Sequence, residues 1–280
     1  MSLYQHLEDL YRQFDARYDS SDPICLVRRF QKPEDQEVAA VIMASLAFGQ
    51  VGQILKAGAA AFELMENQPR RFVETFRPAT ELRRWKGFYY RMVRGGDLLR
   101  LLYGLQRILK RYDSLGEWVS FHHRDSDPHL GMAWSRCVAD LREVDRRWWR
   151  WERSKGVGFR HLLPDPANHG ASKRAFLLLR WMVRKDNVDL GLWPQLPPDK
   201  LLIPVDTHIG RLAYNIGLTD STRLNLQTAR EITTRLAQLD ASDPVKYDFA
   251  LSRLGILKLC PRKKEAVKCA SCSIVSVCRL

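Results

Sequence analysis

Long apolar runs are missing from this 280-residue chain, although 45% of its residues are hydrophobic. No stretch reaches the roughly 20 apolar residues of a membrane-spanning helix, which argues against a helical channel or transporter. The opening residues, Met1 to Asp19, also lack the charged-then-apolar pattern of a secretory signal. The expectation is an intracellular, cytoplasmic protein, nucleoid-associated if bacterial, with no membrane partner. Strand-like alternation bounded by turn residues is scarce, which argues against an all-β fold. No internal repeat at fixed period and no low-complexity segment is present, which excludes a solenoid. Cysteine is rare before residue 260: Cys25 and Cys137 stand alone, and each reads as a small buried hydrophobe rather than a ligand. Acidic residues are in deficit, 32 against 45 basic ones, for a net charge of +13. Such a surplus favours a polyanionic partner, nucleic acid foremost, over a merely basic surface.

What is present is helical patterning. Val38, Val41, Ile42, Ser45, Leu46 and Gly49 fall on one stripe, after Glu34, Asp35 and Glu37, which suit a helix start. Ala171, Ala175, Leu178, Leu179 and Met182 make a second stripe. Ile209, Leu212, Ala213 and Ile216 make a third, in a helix expected over 206–218. Pro and Gly punctuate the chain near 20–23, 68–69, 94–97, 125–128, 156–170 and 186–204. The last two breaks are long for loops in a compact domain, and long ordered loops are often functional. The expected fold is all-α.

Four cysteines crowd the C-terminal end. Cys260, Cys269, Cys272 and Cys278 are spaced C-x8-C-x2-C-x5-C. In a reducing compartment such clustering reads as a metal or cluster site rather than as disulfides. Four thiolates can ligate a [4Fe-4S] cluster or surround a tetrahedral zinc, and the spacing alone leaves both open. Lys258, Arg262, Lys263, Lys264, Lys268 and Arg279 surround them. This basic halo offsets thiolate charge and could also touch phosphates.

Ile203-Pro204-Val205-Asp206-Thr207-His208 stands before the third apolar stripe. Asp206 is placed to cap that helix, accepting from first-turn N–H groups. It can also present its carboxylate to a substrate, and the two roles are compatible. His208, one turn in, reads first as a satisfied structural histidine. The segment Pro204-Val205-Asp206-Thr207-His208-Ile209-x-Arg211 resembles the signature of the helix-hairpin-helix base-excision DNA glycosylases, the superfamily of endonuclease III and the adenine-mismatch glycosylase. The four cysteines, with Gly255 to Leu259 leading into them, resemble that family's cluster motif, although the first spacing is longer. The resemblance is specific over roughly residues 170–280 and plausible over 34–60, and it points to an endonuclease III-like protein of a bacterial branch.

The resemblance implies a mechanism. The family's catalytic aspartate matches Asp206. In its lyase-type members a lysine opens the helix after a glycine-rich hairpin, and Gly170-Ala171-Ser172-Lys173-Arg174-Ala175 resembles that junction, with Lys173 at the lysine position. First-turn N–H groups and Arg174 place positive potential around this amine, which disfavours the ammonium. A damaged nucleotide would be extruded from double-stranded DNA. Lys173 would attack the sugar and displace the base, Asp206 would stabilise the charge that develops, and β-elimination would nick the strand. The implied activity is a DNA N-glycosylase with AP lyase activity, working as a monomer. Two departures stand out. The family hairpin, Leu-Pro-Gly-x-Gly, is replaced by Leu163-Pro164-Asp165-Pro166-Ala167-Asn168-His169-Gly170, and 33 positions separate Lys173 from Asp206. The longer spacing has some likeness to archaeal 8-oxoguanine glycosylases, a hint toward oxidised bases. It makes the 183–204 stretch, with Asp186, Asp189 and Trp193, a candidate to shape a base pocket.

Ala47-Phe48-Gly49-Gln50-Val51 resembles the family segment whose glutamine probes the stack left by the extruded base, so Gln50 is either that probe or a solvated helix terminus. The candidate DNA and base contacts are therefore Gln50, Gly170, Ser172, Arg174, His208 and Trp193. Arg146-Arg147-Trp148-Trp149-Arg150-Trp151 interleaves cations and aromatics, as phosphate contact and base stacking require, or as core packing produces. Arg180 and Arg184 are expected on a different face from the packed residues of their helix. The implied architecture is two helical lobes flanking a basic cleft: a central lobe over 34–170, and a cluster lobe from 1–33 and 171–280 with its loop at 260–278. The rival expectation is a non-catalytic nucleic-acid-binding protein on the same scaffold.

Overall fold

The computed structural model describes residues 2–148, 150–152 and 156–280, and only the helical backbone of residues 144–147. The described chain is mostly helical. No helix among these residues is long and apolar enough to cross a membrane.

Helix α1 (Leu3–Gln13) starts in a capping box, where Ser2 and Gln5 exchange side chain-to-backbone bonds, and it buries Leu7 and Leu10. The short α2 (Ile24–Val27) leads to α3 (Pro33–Leu46). Proline stands at N1 of α3, of α5 (Pro69–Thr75) and of α6 (Pro78–Arg84), where its missing N–H costs nothing. Between these lies α4 (Val51–Leu64). A small antiparallel hairpin, β1 (Tyr89–Tyr90) with β2 (Val93–Arg94), precedes α7 (Gly95–Ile108). Gly95 is required there: a Cβ would lie 2.0 Å from the Trp85 carbonyl oxygen. Then follow α8 (Leu115–His122), α9 (Gly131–Trp148), α10 (Val157–Leu162) and α11 (Lys173–Val183). After a long irregular stretch come α12 (Thr207–Asn215), α13 (Leu226–Ala237), α14 (Asp248–Ile256) and α15 (Ala266–Ala270).

Helix α3 is the centre of the core. Every residue from Glu37 to Leu46 is buried, so the expected stripe is in fact the whole circumference of the helix. A helix apolar on all sides needs neighbours on all sides, and α2, α4, α5, α8 and α11 surround it. Gly49 does not belong to the stripe. It lies past the helix end with φ +97°, and a Cβ there would meet Arg91 at 2.8 Å and Tyr90 at 3.1 Å. Helix α7 packs on α9 and α10, α12 packs on α14, and α1 returns to pack on α14.

The irregular 184–206 stretch sends several side chains into the core, Val188, Trp193, Leu196 and Ile203 among them, between exposed positions such as Lys185 and Gln195. Trp193 is fully buried, and its Nε1 donates to Glu37 Oε1 at 2.7 Å. Glu37 also accepts from the backbone N–H groups of Leu115 and Gly116, so one buried carboxylate ties α3, α8 and this stretch together. Arg180 and Arg184 do not face solvent. They are buried one turn apart, Arg180 in the last turn of α11 and Arg184 at its C-cap, and engage Asp186, Asp189, Asp243 and Asp248. A carboxylate-rich stretch with little helical periodicity looks exposed in sequence. These carboxylates are inside because two arginines neutralise them.

Candidate functional site

The largest cavity runs between α11, α12 and α14 on one side and the end of α3 with the 160–170 turn on the other. Its volume is about 1260 Å³, and Lys173, Asp206 and Gln50 line it. More cations than acids line it, with Arg142, Arg160, Arg174 and Lys258 among them.

Asp206 is the N-cap of α12. Its Oδ1 accepts from the N–H groups of His208 at 2.9 Å and Ile209 at 3.0 Å. Its Oδ2 accepts from Lys173 Nζ at 2.7 Å. One carboxylate therefore serves both the helix and the lysine, and the two sequence expectations for it coincide. Burial alone would raise its pKa. The Lys173 ammonium and the first-turn N–H groups outweigh burial and hold the carboxyl below its ordinary range. Lys173 opens α11 after Ser172, whose φ is +43°, and both members of the pair remain partly exposed to the cleft. The helix field and Arg174 are the neighbours expected around Lys173 from sequence. In the structure the nearest opposite charge is Asp206.

The other candidates divide. Gln50 is exposed at the N-cap position of α4 and lines the cleft. Gly170 and Ser172 line it too, and Gly170 forms a bridge with Asn225. His208 lines it, with its ring packed against Gly255, where a Cβ would lie 2.4 Å from Nδ1. Arg174 lines the cleft but spends its guanidinium on the Ser45 and His161 carbonyls, both at 2.5 Å, while stacking 5.0 Å from the Phe48 ring centroid. It braces α11 against α3 and α10. Burial, with no carboxylate beside it, lowers its pKa to about 10. Trp193 is not in the cleft. It is a core side chain of the irregular stretch, packed over Gly116 of α8. Within the Arg146–Trp151 run, Trp148 is buried against Tyr103 and Trp151 rather than open for stacking. The side chains of Arg146 and Arg147, and Trp149 altogether, lie outside the described residues.

The sequence reading missed the β1–β2 hairpin. Tyr90 donates to the Phe48 carbonyl, Arg91 adopts φ +53° beside Gly49, and Tyr89 is 65% exposed. Two-residue strands carry no alternation to detect. The pairing of Gly49 with a tyrosine–arginine turn was the available signal. His161, on the cleft wall, was missed as well. It touches Phe48 edge-on, and burial lowers its pKa.

The four C-terminal cysteines are unpaired and half-buried. Among the described residues no three His, Cys, Asp or Glu side chains already converge on one metal position. The donor set nonetheless fits a thiophilic centre. Burial raises the Cys260 thiol, Arg211 opposes it, and Cys272, Cys278 and Cys269 add to it, so the four sulfurs share one electrostatic neighbourhood. The segment grips α12. Arg211 donates to the carbonyls of Pro261 and, at 3.0 Å, Cys260, while the Arg279 N–H donates to the Asn215 carbonyl at 2.7 Å.

Residues 22–257 match the family described as Protein of unknown function (DUF2400), and the chain belongs to that family. The match covers Lys173 and Asp206 and ends ahead of Cys260. No curated protein and no solved structure matches the chain.

Proposed function

We propose that the protein is a DNA glycosylase with associated strand-cleaving lyase activity, acting on a damaged base in double-stranded DNA. The observation that carries this reading is the 2.7 Å approach of Lys173 Nζ to Asp206 Oδ2 in the wall of a basic cleft. An amine and a carboxylate in contact can divide one displacement between them. The damaged nucleotide is turned out of the duplex into the cleft. Lys173, having passed a proton to Asp206 or solvent, attacks C1′ of the sugar. The C1′–N bond breaks and its electron pair leaves with the base. The Asp206 carboxylate opposes the positive charge that grows on the sugar. The sugar then opens at its C1′–O4′ bond, O4′ gaining a proton as the Lys173 nitrogen loses one, and the resulting Lys173–C1′ imine allows loss of a C2′ proton and departure of the 3′ phosphate. Gln50, which lines the cleft, meets the stack from which the nucleotide left, with the Tyr89–Arg94 hairpin beside Phe48 and Gly49. On this reading α10 and α11 with the intervening 163–172 turn form the helix-hairpin-helix, and the two sides of the cleft are the two lobes.

Cys260, Cys269, Cys272 and Cys278 would hold a [4Fe-4S] cluster, or zinc, in this scheme. When bound, such a centre supplies a cross-link that fixes the C-terminal segment against α12.

Borohydride trapping on duplexes carrying oxidised bases tests the reading. A covalent adduct that disappears in Lys173→Ala is expected. No adduct on any lesion, or an undiminished adduct in that variant, refutes it. A second reading, a non-catalytic nucleic-acid binder on the same scaffold, draws on the 163–172 turn, where the left-handed positions fall on His169 and Ser172 instead of glycine. It predicts duplex binding that survives Lys173→Ala and Asp206→Asn with no product formed by any variant.

A further inference from the structure

Helix α14 ends in a conformation that costs energy. Its cap is Leu257, and the next residue, Lys258, adopts φ +59°, the left-handed region that side chains disfavour. Glycine is the usual occupant of that position. Helix α12, packed on α14, has it: its cap is Ile216 and the next residue is Gly217 at φ +76°. The two turns close alike. The Lys258 N–H donates to the Gly255 carbonyl at 3.1 Å, and the Gly217 N–H donates to the Tyr214 carbonyl at 3.2 Å. The strained turn is held from both sides. The Leu257 N–H donates to the Arg253 carbonyl at 2.9 Å, the Cys260 N–H donates to the Leu254 carbonyl at 2.8 Å, and Arg211 of α12 donates to the Cys260 carbonyl at 3.0 Å. A residue kept in a sparsely populated conformation by its surroundings points to a use for its side chain. A cation does favour the negative end of a helix, but a lysine in the last turn supplies that without strain. Glu66 holds the corresponding left-handed position after α4, and its carboxylate meets Arg84 at 3.5 Å. Lys258 is exposed, lines the cleft with Lys173, Asp206 and His208, and has no hydrogen-bond or ion-pair partner for its ammonium among the described residues. The His208 ring packs against Gly255, one turn before Lys258, so this lysine stands beside the first turn of α12.

We infer that Lys258 is a phosphate-binding residue of the cleft: its ammonium meets one phosphodiester of the strand that carries the damaged nucleotide, and the left-handed turn is what aims it there. The inference rests on the reading that the cleft takes duplex DNA, and it adds a contact outside the Lys173–Asp206 pair. A lysine acts on phosphate as a point charge, and such a contact positions the duplex without reading its sequence. Glycine at this position removes the strain and the contact together. Stability and binding then move in opposite directions, which a lysine serving only the end of α14 would not produce.

Two variants of the full chain test this, Lys258→Gly and Lys258→Arg, each melted thermally and each titrated with a duplex carrying a tetrahydrofuran abasic analogue over a series of salt concentrations. Lys258→Gly is expected to raise Tm by about 1–3 °C. It is expected to weaken binding about fivefold at about 0.15 M salt, and to reduce the slope of log K against log salt by about one. Lys258→Arg keeps the charge and the strain, and is expected to match the unmodified protein in affinity, slope and Tm. Affinity and slope unchanged in Lys258→Gly, with the unmodified protein binding the duplex, overturn the inference and spare the reading of the cleft. A Tm that stays level or falls in Lys258→Gly assigns the lysine to the end of α14 and overturns it too. Loss of the slope in Lys258→Arg has the same consequence, since charge is what the phosphate answers. Failure of the unmodified protein to bind the duplex at any salt concentration removes both the inference and the reading it rests on.

Discussion

Helix α11 carries two sets of ion pairs built from the same chemistry and put to opposite uses. At its first residue, Lys173 meets Asp206 with side-chain exposures of 35% and 22%. Further along the same helix, Arg180 and Arg184 meet Asp189 with exposures of 0–4%. In the core set, every charge has been taken from water, and the aspartates and arginines keep their charge only because each is answered. Burial opposes the charge on Arg184, yet Asp189, Asp243 and Asp186 together outweigh it and hold its proton more tightly than usual. In the cleft pair both side chains keep some contact with solvent, and the partners can be separated. The difference is one of consequence: removing a core partner strands a charge, whereas removing a cleft partner returns the survivor to water.

The largest effect should come from the core. Asp189→Ala leaves Arg180 Nε and Arg184 Nη1 without this partner and is expected to cost about 3–5 kcal/mol, read as a fall in the urea midpoint at unchanged slope. A shift under about 1 kcal/mol would erase the contrast between the two sets. An intermediate case sharpens it. Asp127, 3% exposed, accepts two bonds of 2.7 Å from Arg136, and that pairing lowers its pKa to about 2. Its folded pKa lies below its unfolded value of about 3.9. The stabilisation is therefore complete above about pH 4 and is lost as pH falls toward 2. It amounts to about 2.6 kcal/mol, and Arg136→Met should flatten that part of the stability–pH curve. Next, Trp193→Phe removes the bond to Glu37 while two backbone donors remain, with an expected cost of about 1–2 kcal/mol and no effect on DNA binding. A selective loss of lesion binding in this variant would restore Trp193 to the cleft. The smallest effect on stability belongs to Lys173→Ala, under about 1 kcal/mol, together with complete loss of the borohydride adduct. A large destabilisation there would make the pair structural rather than reactive.

These contrasts bear on what could be read from residues alone. The cap at Asp206 was legible because a carboxylate after Pro204-Val205 and ahead of an apolar stripe has few other uses. Its meeting with Lys173 could be expected only through family resemblance, since nothing in local periodicity brings positions 33 apart together. The 183–204 stretch was read as a candidate to shape a base pocket, but its Asp186, Asp189 and Trp193 turn to Arg184 and Glu37 instead. Its aspartates look solvent-seeking until Arg180 and Arg184 are seen beneath them, and Trp193 then follows them into the core. Helix α3 was legible as a helix but not as the hub, because one-sided stripes and all-round burial share the same apolar positions. The β1–β2 hairpin left no periodic trace, and only Gly49, held at positive φ by the Tyr90–Arg91 turn, marks where it docks.

The grip of the C-terminal segment on α12 also sets an order of events. A ribosome releases α11 and α12 well ahead of Arg279, whose backbone N–H and side chain later seat against Asn215 and Gly217. A nascent chain therefore has both Lys173 and Asp206 before it has the fastening that holds α12, the helix Asp206 caps.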